Sequence, residues 1–365
     1  MTNTPPRVHV LGLGSIGSLV AHSLAEIPRR PPVTLLLHRL SLLEGYRRNE
    51  CKLGLQTTDG KFVSHGGYDF EVLHNKGWHH ASLNSDHSID PITGQPNGIA
   101  TGTIEHLIVC VKATQTVAAL QSLGSRLNQN STVMFLQNGA GMIEDVNKHL
   151  FQDPKLRPNY ITGVISHGVT MNKPFDITHT GFAATSIGPV PRNEPSKSDP
   201  SKPTTSNSSS YLLDALPQVP RFKCRSYDWS SIFQIQLEKL SVNAFCNPLC
   251  ALADSQNKYL FTIPDICRSL MREISSVVLA MPEFQGAPGV RQRFSPEVLE
   301  QTVMGIIERT RETTCSMVWD LRAGRETEIA YINGYWCRRG RELGVPTPIN
   351  DELVARIEMR TKKSE

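Results

Sequence analysis

The sequence predicts an α/β protein, with a parallel-sheet domain at its N-terminal side and an all-helical domain after it. Three observations carry this. "RVHVLGLGSIGSLVAHSLAEI" (7–27) runs an apolar strand, a glycine-rich turn and an amphipathic helix together without a gap. "VTLLLHR" (33–39) supplies a second strand and completes a βαβ unit within about 30 residues. Beyond about residue 227 the period changes, and helical spacing dominates. The expected division is residues 1–226, a Rossmann-type domain, and residues 227–365, a helical one.

Each further element follows in order. "HLIVCVK" (106–112) and "STVMFLQNG" (131–139) read as strands, separated by "TQTVAALQSLGSRL", which has helical spacing. Strands alternating with helices imply a parallel sheet covered on both faces. Residues 64–103 are rich in His, Gly, Asn and Asp without sustained periodicity, and read as a surface excursion before the next sheet strand. "PRNEPSKSDPSKPTTSNSSS" (191–210) is too polar to bury the apolar surface that would offset its ordering entropy, so it reads as a flexible insertion. Helices are expected over 228–254, 264–281, 295–322 and 327–343, the last ended by Gly344 and Pro346.

Composition excludes several classes of function. The net charge of +4 over 365 residues is mild and scattered, which gives no support to nucleic-acid or membrane-surface binding. No run approaches the ~20 apolar residues of a bilayer span. The start leaves no room for a signal peptide, and eight cysteines show no CxxC pair or disulfide-like spacing. A reducing, cytoplasmic setting is expected, with the mitochondrion still open. Of the twelve histidines, the cluster at 79–87 (His79, His80, His87) lacks a firm ligand geometry and sits in an apparent loop, so no metal is expected.

Gly12, Gly14 and Gly17, with Ser15 and Ile16 between them, form GxGxxG at a strand-to-helix junction. The first glycine permits the tight turn, the second lets a pyrophosphate approach the backbone, and the third allows close helix–strand packing. The phosphate would sit at the positive end of a helix. At the end of the second strand, where NAD-binding folds offer Asp or Glu to the ribose, this chain has His38-Arg39. Arginine can pair with a 2′-phosphate and no acid repels it, so NADPH is the expected cofactor, a solvated surface arginine being the alternative. Lys112 and Asn138 fall at the C-terminal ends of sheet strands, the edge that faces ligand in open α/β sheets.

In "EKLSVNAFCNPLCAL" (238–252), Lys239, Asn243 and Asn247 recur every four residues, so each differs from the next by only about 40° around a helix and the three form one polar stripe. An ammonium and two amides are expensive to bury without partners. Pro248, which lacks an N–H, should kink the helix against the Ala244 carbonyl. The stripe is either hydrogen-bonded to a neighbouring element or a surface that faces substrate.

That stretch, with "TTCSMVWDLRAGRETEIAYINGYWCRRGRELGVPTP" (313–348), "VLGLGSIGSL", "VKATQT", "LQNGAGMIE" and "GVISHGV", resembles the ketopantoate reductases, NADPH-dependent enzymes of pantothenate synthesis. The resemblance covers nearly the whole chain apart from 64–103 and 191–210. It implies that Lys239 is the catalytic proton donor and Glu328 the acid that holds the lysine and the substrate's hydroxyl side. It implies that Asn243 and Asn247 bind substrate, that Ser316 binds its carboxylate, and that Lys112 and Asn138 contact cofactor or substrate. "SHGVT" departs from the family's more usual histidine–alanine pairing.

Twelve residues of unbroken helix would hold Ser316 and Glu328 about 18 Å apart, so the chain must break between them, with Gly324 the expected point. The implied reaction is reduction of 2-dehydropantoate. The rivals are reduction of another 2-oxo acid, or a non-catalytic NADP-binding regulator. The expected partner is a small-molecule 2-oxo acid, and a homodimer is left open.

Overall fold

The computed structural model describes residues 4–81, 98–181, 184–192 and 210–362. It divides into two compact units, Met1–Gln137 with Ile143–Ile232, and Asn138–Met142 with Phe233–Glu365. Among the described residues no helix is long and apolar enough to cross a membrane, and all eight cysteines are free thiols.

The first unit holds thirteen described strands: β1 (Val8–Leu11), β2 (Val33–Leu37), β3 (Leu53–Gln56), β4 (Phe62–His65), β5 (Asp69–His74), β6 (Gly77–Ala81), β7 (His106–Val109), β8 (Thr132–Phe135), β9 (Asn159–Ile165), β10 (Gly168–Lys173), β11 (Asp176–Gly181), β12 (Thr185–Pro189) and β13 (Cys224–Ser226). Its helices are α1 (Ser15–Ala25), α2 (Leu40–Arg48), α3 (Thr116–Gln121), α4 (Met142–His149), whose first residue belongs to the second unit, and α5 (Tyr211–Ala215). The main sheet runs β13-β12-β9-β8-β7-β1-β2-β5-β6. From β5 through β9 every neighbour is parallel. Interior strand β2 is buried at all five positions, as expected of a strand covered on both faces. The chain leaves β1 between β2 and β7, and the strand order reverses there. Ligands of open α/β sheets bind beyond the strand ends at such a point.

The sheet is not wholly parallel as the sequence suggested. β6 joins β5 antiparallel, and β12 joins β9 antiparallel. The reading of 64–103 as a surface excursion is corrected over its described part. Residues 69–81 form a hairpin that extends the main sheet, with Phe70, Val72 and Trp78 buried, while 82–97 lie outside the described residues. A second sheet, β10-β11-β3-β4, was not anticipated, and α1 touches strands of both sheets. The expected insertion at 191–210 falls outside the described residues over 193–209.

The second unit is helical: α6 (Trp229–Ala253, within this unit from Phe233), α7 (Pro264–Ala280), α8 (Val290–Arg293), α9 (Pro296–Arg309), α10 (Ser316–Arg322), α11 (Asn333–Leu343) and α12 (Pro348–Lys362). The expected helix 295–322 is two helices, because α9 ends at Arg309 and α10 starts only at Ser316. The pattern at 327–343 becomes a short 3-10 turn, Ile329–Tyr331, and then α11.

Candidate active site

The glycine turn of the first unit is shaped by what its glycines exclude. Gly12 adopts φ +96°, a conformation costly for any side chain. A Cβ on Gly17 would stand 1.8 Å from the Gly12 carbonyl oxygen, so α1 can lie this close to the turn only with glycine there. Gly14 differs: a Cβ there would meet no atom within 4 Å. Gly14 also precedes α1 without a side-chain cap, which leaves first-turn N–H groups of Ser15, Ile16 and Gly17 available to an anion. An open approach over Gly14 and uncapped donors behind it fit a pyrophosphate.

Arg39 lies two residues past β2, in extended conformation at the start of α2, and is exposed. Among the described residues no ion pair engages it. Lys112 lies three residues past β7, half-buried, where its carbonyl accepts the Gln115 N–H at 2.9 Å.

In the second unit three segments distant in the chain converge. Lys239 Nζ donates to Asn138 Oδ1 at 3.0 Å. Burial pushes the Lys239 pKa down from 10.5 to about 8, and the Glu328 charge opposes that fall. Glu328 is buried at the head of the Ile329–Tyr331 turn. The Asn138 segment is clasped by its neighbours. Ala140 N–H donates to the Tyr331 carbonyl at 2.9 Å, and Gln236 Nε2 donates to the Gly139 carbonyl at 3.3 Å. Gly139, at φ +95°, approaches so closely that a Cβ would lie 2.6 Å from the Tyr331 oxygen. Asn138, Lys239 and Glu328 are therefore brought together.

Asn243 and Asn247 continue the Lys239 face of α6, the first half-buried and the second buried. Among the described residues no hydrogen bond engages either side-chain amide. The chain does break between Ser316 and Glu328, since α10 ends at Arg322 and Gly324 turns at φ +59°. Ser316 is exposed at the start of α10. Cys315 Sγ, just before it, donates to the Asn247 carbonyl at 3.7 Å and ties this end of α10 to α6.

Sequence reasoning missed the residues that support this arrangement. α6 continues through Pro248, and the Ala244 carbonyl that proline leaves without a donor receives Asn333 Nδ2 at 2.9 Å. Asn333 Nδ2 also donates to Asn350 Oδ1 at 3.0 Å, and Asn350 Nδ2 donates to Glu273 Oε2 at 2.9 Å. The proline advertised an unpaired carbonyl, but nothing local in the sequence says which residue meets it.

Two family descriptions match the chain. One, Ketopantoate reductase PanE/ApbA, covers residues 8–192, and the other, Ketopantoate reductase PanE/ApbA C terminal, covers residues 231–361. The probable 2-dehydropantoate 2-reductase of Schizosaccharomyces pombe is 27% identical, over 97% of this chain and 95% of its own. The ketoisovalerate reductase BEA2 of Gibberella fujikuroi is 26% identical, over 92% of this chain and 78% of its own. A solved D-mandelate dehydrogenase, in a ternary complex with NADH and anilino(oxo)acetate, shares the fold at a TM-score of 0.68. It is 18% identical over 98% of this chain and 99% of that one. Matched in order by both halves of one family across most of its length, the chain belongs to the ketopantoate reductase family of oxidoreductases.

Proposed function

We propose that this protein reduces 2-dehydropantoate to pantoate with NADPH, in pantothenate synthesis. The first unit serves the cofactor through Gly12, Gly14, Ser15, Ile16, Gly17 and Arg39, and the second serves the substrate. The observation that carries the reading is Lys239, whose desolvated ammonium is hydrogen-bonded to Asn138 and opposed by the Glu328 charge. A bound reduced nicotinamide supplies the hydride.

The protein's own part is the proton. As the carbonyl carbon is reduced, its oxygen gains negative charge, and Lys239 Nζ stabilises that charge and transfers a proton to it. A pKa of about 8 suits the task. The group is protonated roughly ten to one at pH 7, yet it releases the proton more readily than a solvated lysine. Glu328 keeps the ammonium charged despite its burial, and solvent reprotonates the amine between turnovers. The Asn243 and Asn247 amides offer donors and acceptors to substrate oxygens, Ser316 offers its hydroxyl to the carboxylate, and Lys112 lies at the cofactor end.

A second reading has a specific observation behind it. The similarity to a ketoisovalerate reductase over most of the chain favours another branched 2-oxo acid as substrate. The test is NADPH oxidation by the purified chain with 2-dehydropantoate, 2-oxoisovalerate and phenylglyoxylate at equal concentrations. The highest kcat/KM should fall to 2-dehydropantoate. A higher value for either of the others replaces the substrate and leaves the reaction type standing, and no turnover with any 2-oxo acid removes the proposal.

A further inference from the structure

The first unit contains a cluster that the reductase chemistry does not use. His22, in the last turn of α1, and Glu26, the helix's C-terminal capping residue in α conformation, lie one turn apart, so both project from the same face. His65 ends β4, the edge strand of the second sheet. His22 Nδ1 and His65 Nε2 each lie 3.7 Å from Glu26 Oε1, and the three ligand atoms all fall within 4.8 Å of one another. Both nitrogens are buried and lack a hydrogen-bond partner. Two orphaned ring nitrogens aimed at one carboxylate oxygen are unusual, because buried polar atoms are nearly always satisfied.

An ion pair does not account for them. At 3.7 Å neither ring nitrogen comes within hydrogen-bonding distance of Glu26 Oε1, and His22 is fully buried. Its Nε2 faces the Val63 carbonyl at 3.3 Å. A carbonyl only accepts, so Nε2 carries the hydrogen and the Nδ1 lone pair is left pointing at the cluster. Outer-shell carbonyls fix the tautomer of metal-binding histidines in this manner. Arg221 Nε lies 3.2 Å from both Glu26 oxygens and orients the carboxylate, and each oxygen keeps a lone pair for a further partner.

We propose that His22 Nδ1, His65 Nε2 and Glu26 form a binding site for a zinc-type divalent cation that joins α1 to the edge of the second sheet. Donor atoms at tetrahedral zinc stand about 3.4 Å apart; both nitrogens lie 3.7 Å from the carboxylate oxygen and all three atoms lie within 4.8 Å of one another, so binding would draw the ligands together. Two imidazoles and one carboxylate favour zinc or cobalt over magnesium or calcium, which prefer all-oxygen sites. Water completes the coordination, and the role is structural.

The test uses the full chain, stripped with chelator and titrated with Co2+ alone and with Zn2+ alone. The wild type should bind about one equivalent of Co2+ that shows visible four-coordinate bands without thiolate-to-cobalt charge transfer, which separates it from the free cysteines. Zn2+ should raise its Tm by mass action. His65→Gln, a polar exchange on an edge strand, should lose that equivalent and the Tm gain. Its affinity should fall further than the ~10–100-fold that loss of an outer-shell partner costs. Glu26→Gln should do the same, and if losing the Arg221 pair unfolds it, His65→Gln decides alone. The proposal is overturned if the wild type binds no Co2+ outside its thiols, or if His65→Gln matches it in both equivalents and Tm gain.

Discussion

The glycine turn of the first unit and the lysine nest of the second are built by opposite means. The turn is written in six consecutive residues, and its specificity is one of absence: no Cβ at Gly12 or Gly17, and open space over Gly14. The nest is assembled from residues 138, 239 and 328, and its character comes from what is packed around one ammonium. Local spacing can specify a backbone cradle. A displaced pKa needs a tertiary environment, and no window of sequence contains it.

The largest effect should come from the nest. Lys239→Ala should lower kcat by ~10²–10⁴, the usual worth of a positioned general acid, while NADPH binding, followed by fluorescence titration, stays as in the wild type. Equal loss of binding and turnover would erase the division of labour between the two regions.

Within the turn, the glycines should separate from one another. Gly17→Ala forces a methyl onto the Gly12 carbonyl and should cost about 1–3 kcal/mol of stability or more, seen as a fall in Tm. Gly14→Ala meets no protein atom, so its Tm should hold while its Kd for NADPH rises. If both variants melt alike, the space over Gly14 is not where the cofactor approaches. Arg39→Ala should follow in size. Loss of a charge-assisted contact of ~1.5–3 kcal/mol should weaken NADPH ~10–100-fold and leave NADH nearly unchanged. Similar losses for both cofactors would leave Arg39 as a solvated surface cation.

How much of this was legible follows the same line. The βαβ unit showed because its strands are apolar throughout and its turn is glycine-marked. The 69–81 hairpin was hidden by polar residues: buried Glu71 interrupts the apolar pattern and is satisfied by a bidentate pair with Arg126, 55 positions away. A signal did exist. Asn75 and Lys76 both take positive φ between His74 and Gly77, a two-residue hairpin turn in which asparagine is a favoured first residue. The second sheet was not readable locally, because β3 pairs with β11 more than a hundred residues later. At the site, the three-residue stripe at intervals of four was visible, but hydrogen bonding and solvent shielding around Lys239 were not. Asn333 carried no mark of its role.

That role can be tested through the proline. Asn333→Ala leaves the Ala244 carbonyl and the Asn350 amide oxygen without their donor and should cost about 1–3 kcal/mol by denaturant unfolding. Pro248→Ala returns a backbone N–H to the Ala244 carbonyl, so the double variant should be more stable than the sum of the two single losses. Strict additivity would mean that Asn333 acts only through Asn350.

The smallest effect tests what raises a lysine pKa against burial. If Lys239 is the proton donor proposed here it must be protonated, so kcat/KM should fall as pH rises through about 8. Glu328→Gln removes the negative charge that holds the value up, so the alkaline limb should move to lower pH, measured between about pH 6 and 10. Folding should change in step. Because the folded pKa lies below the free value of 10.5, the unfolded chain binds more protons between about 8 and 10.5, and this group makes stability rise with pH across that window. In Glu328→Gln the window should open at a lower pH. If the limb stays in place while kcat falls, Glu328 acts through contact rather than charge, and the ammonium owes its protonation to Asn138 and the substrate instead.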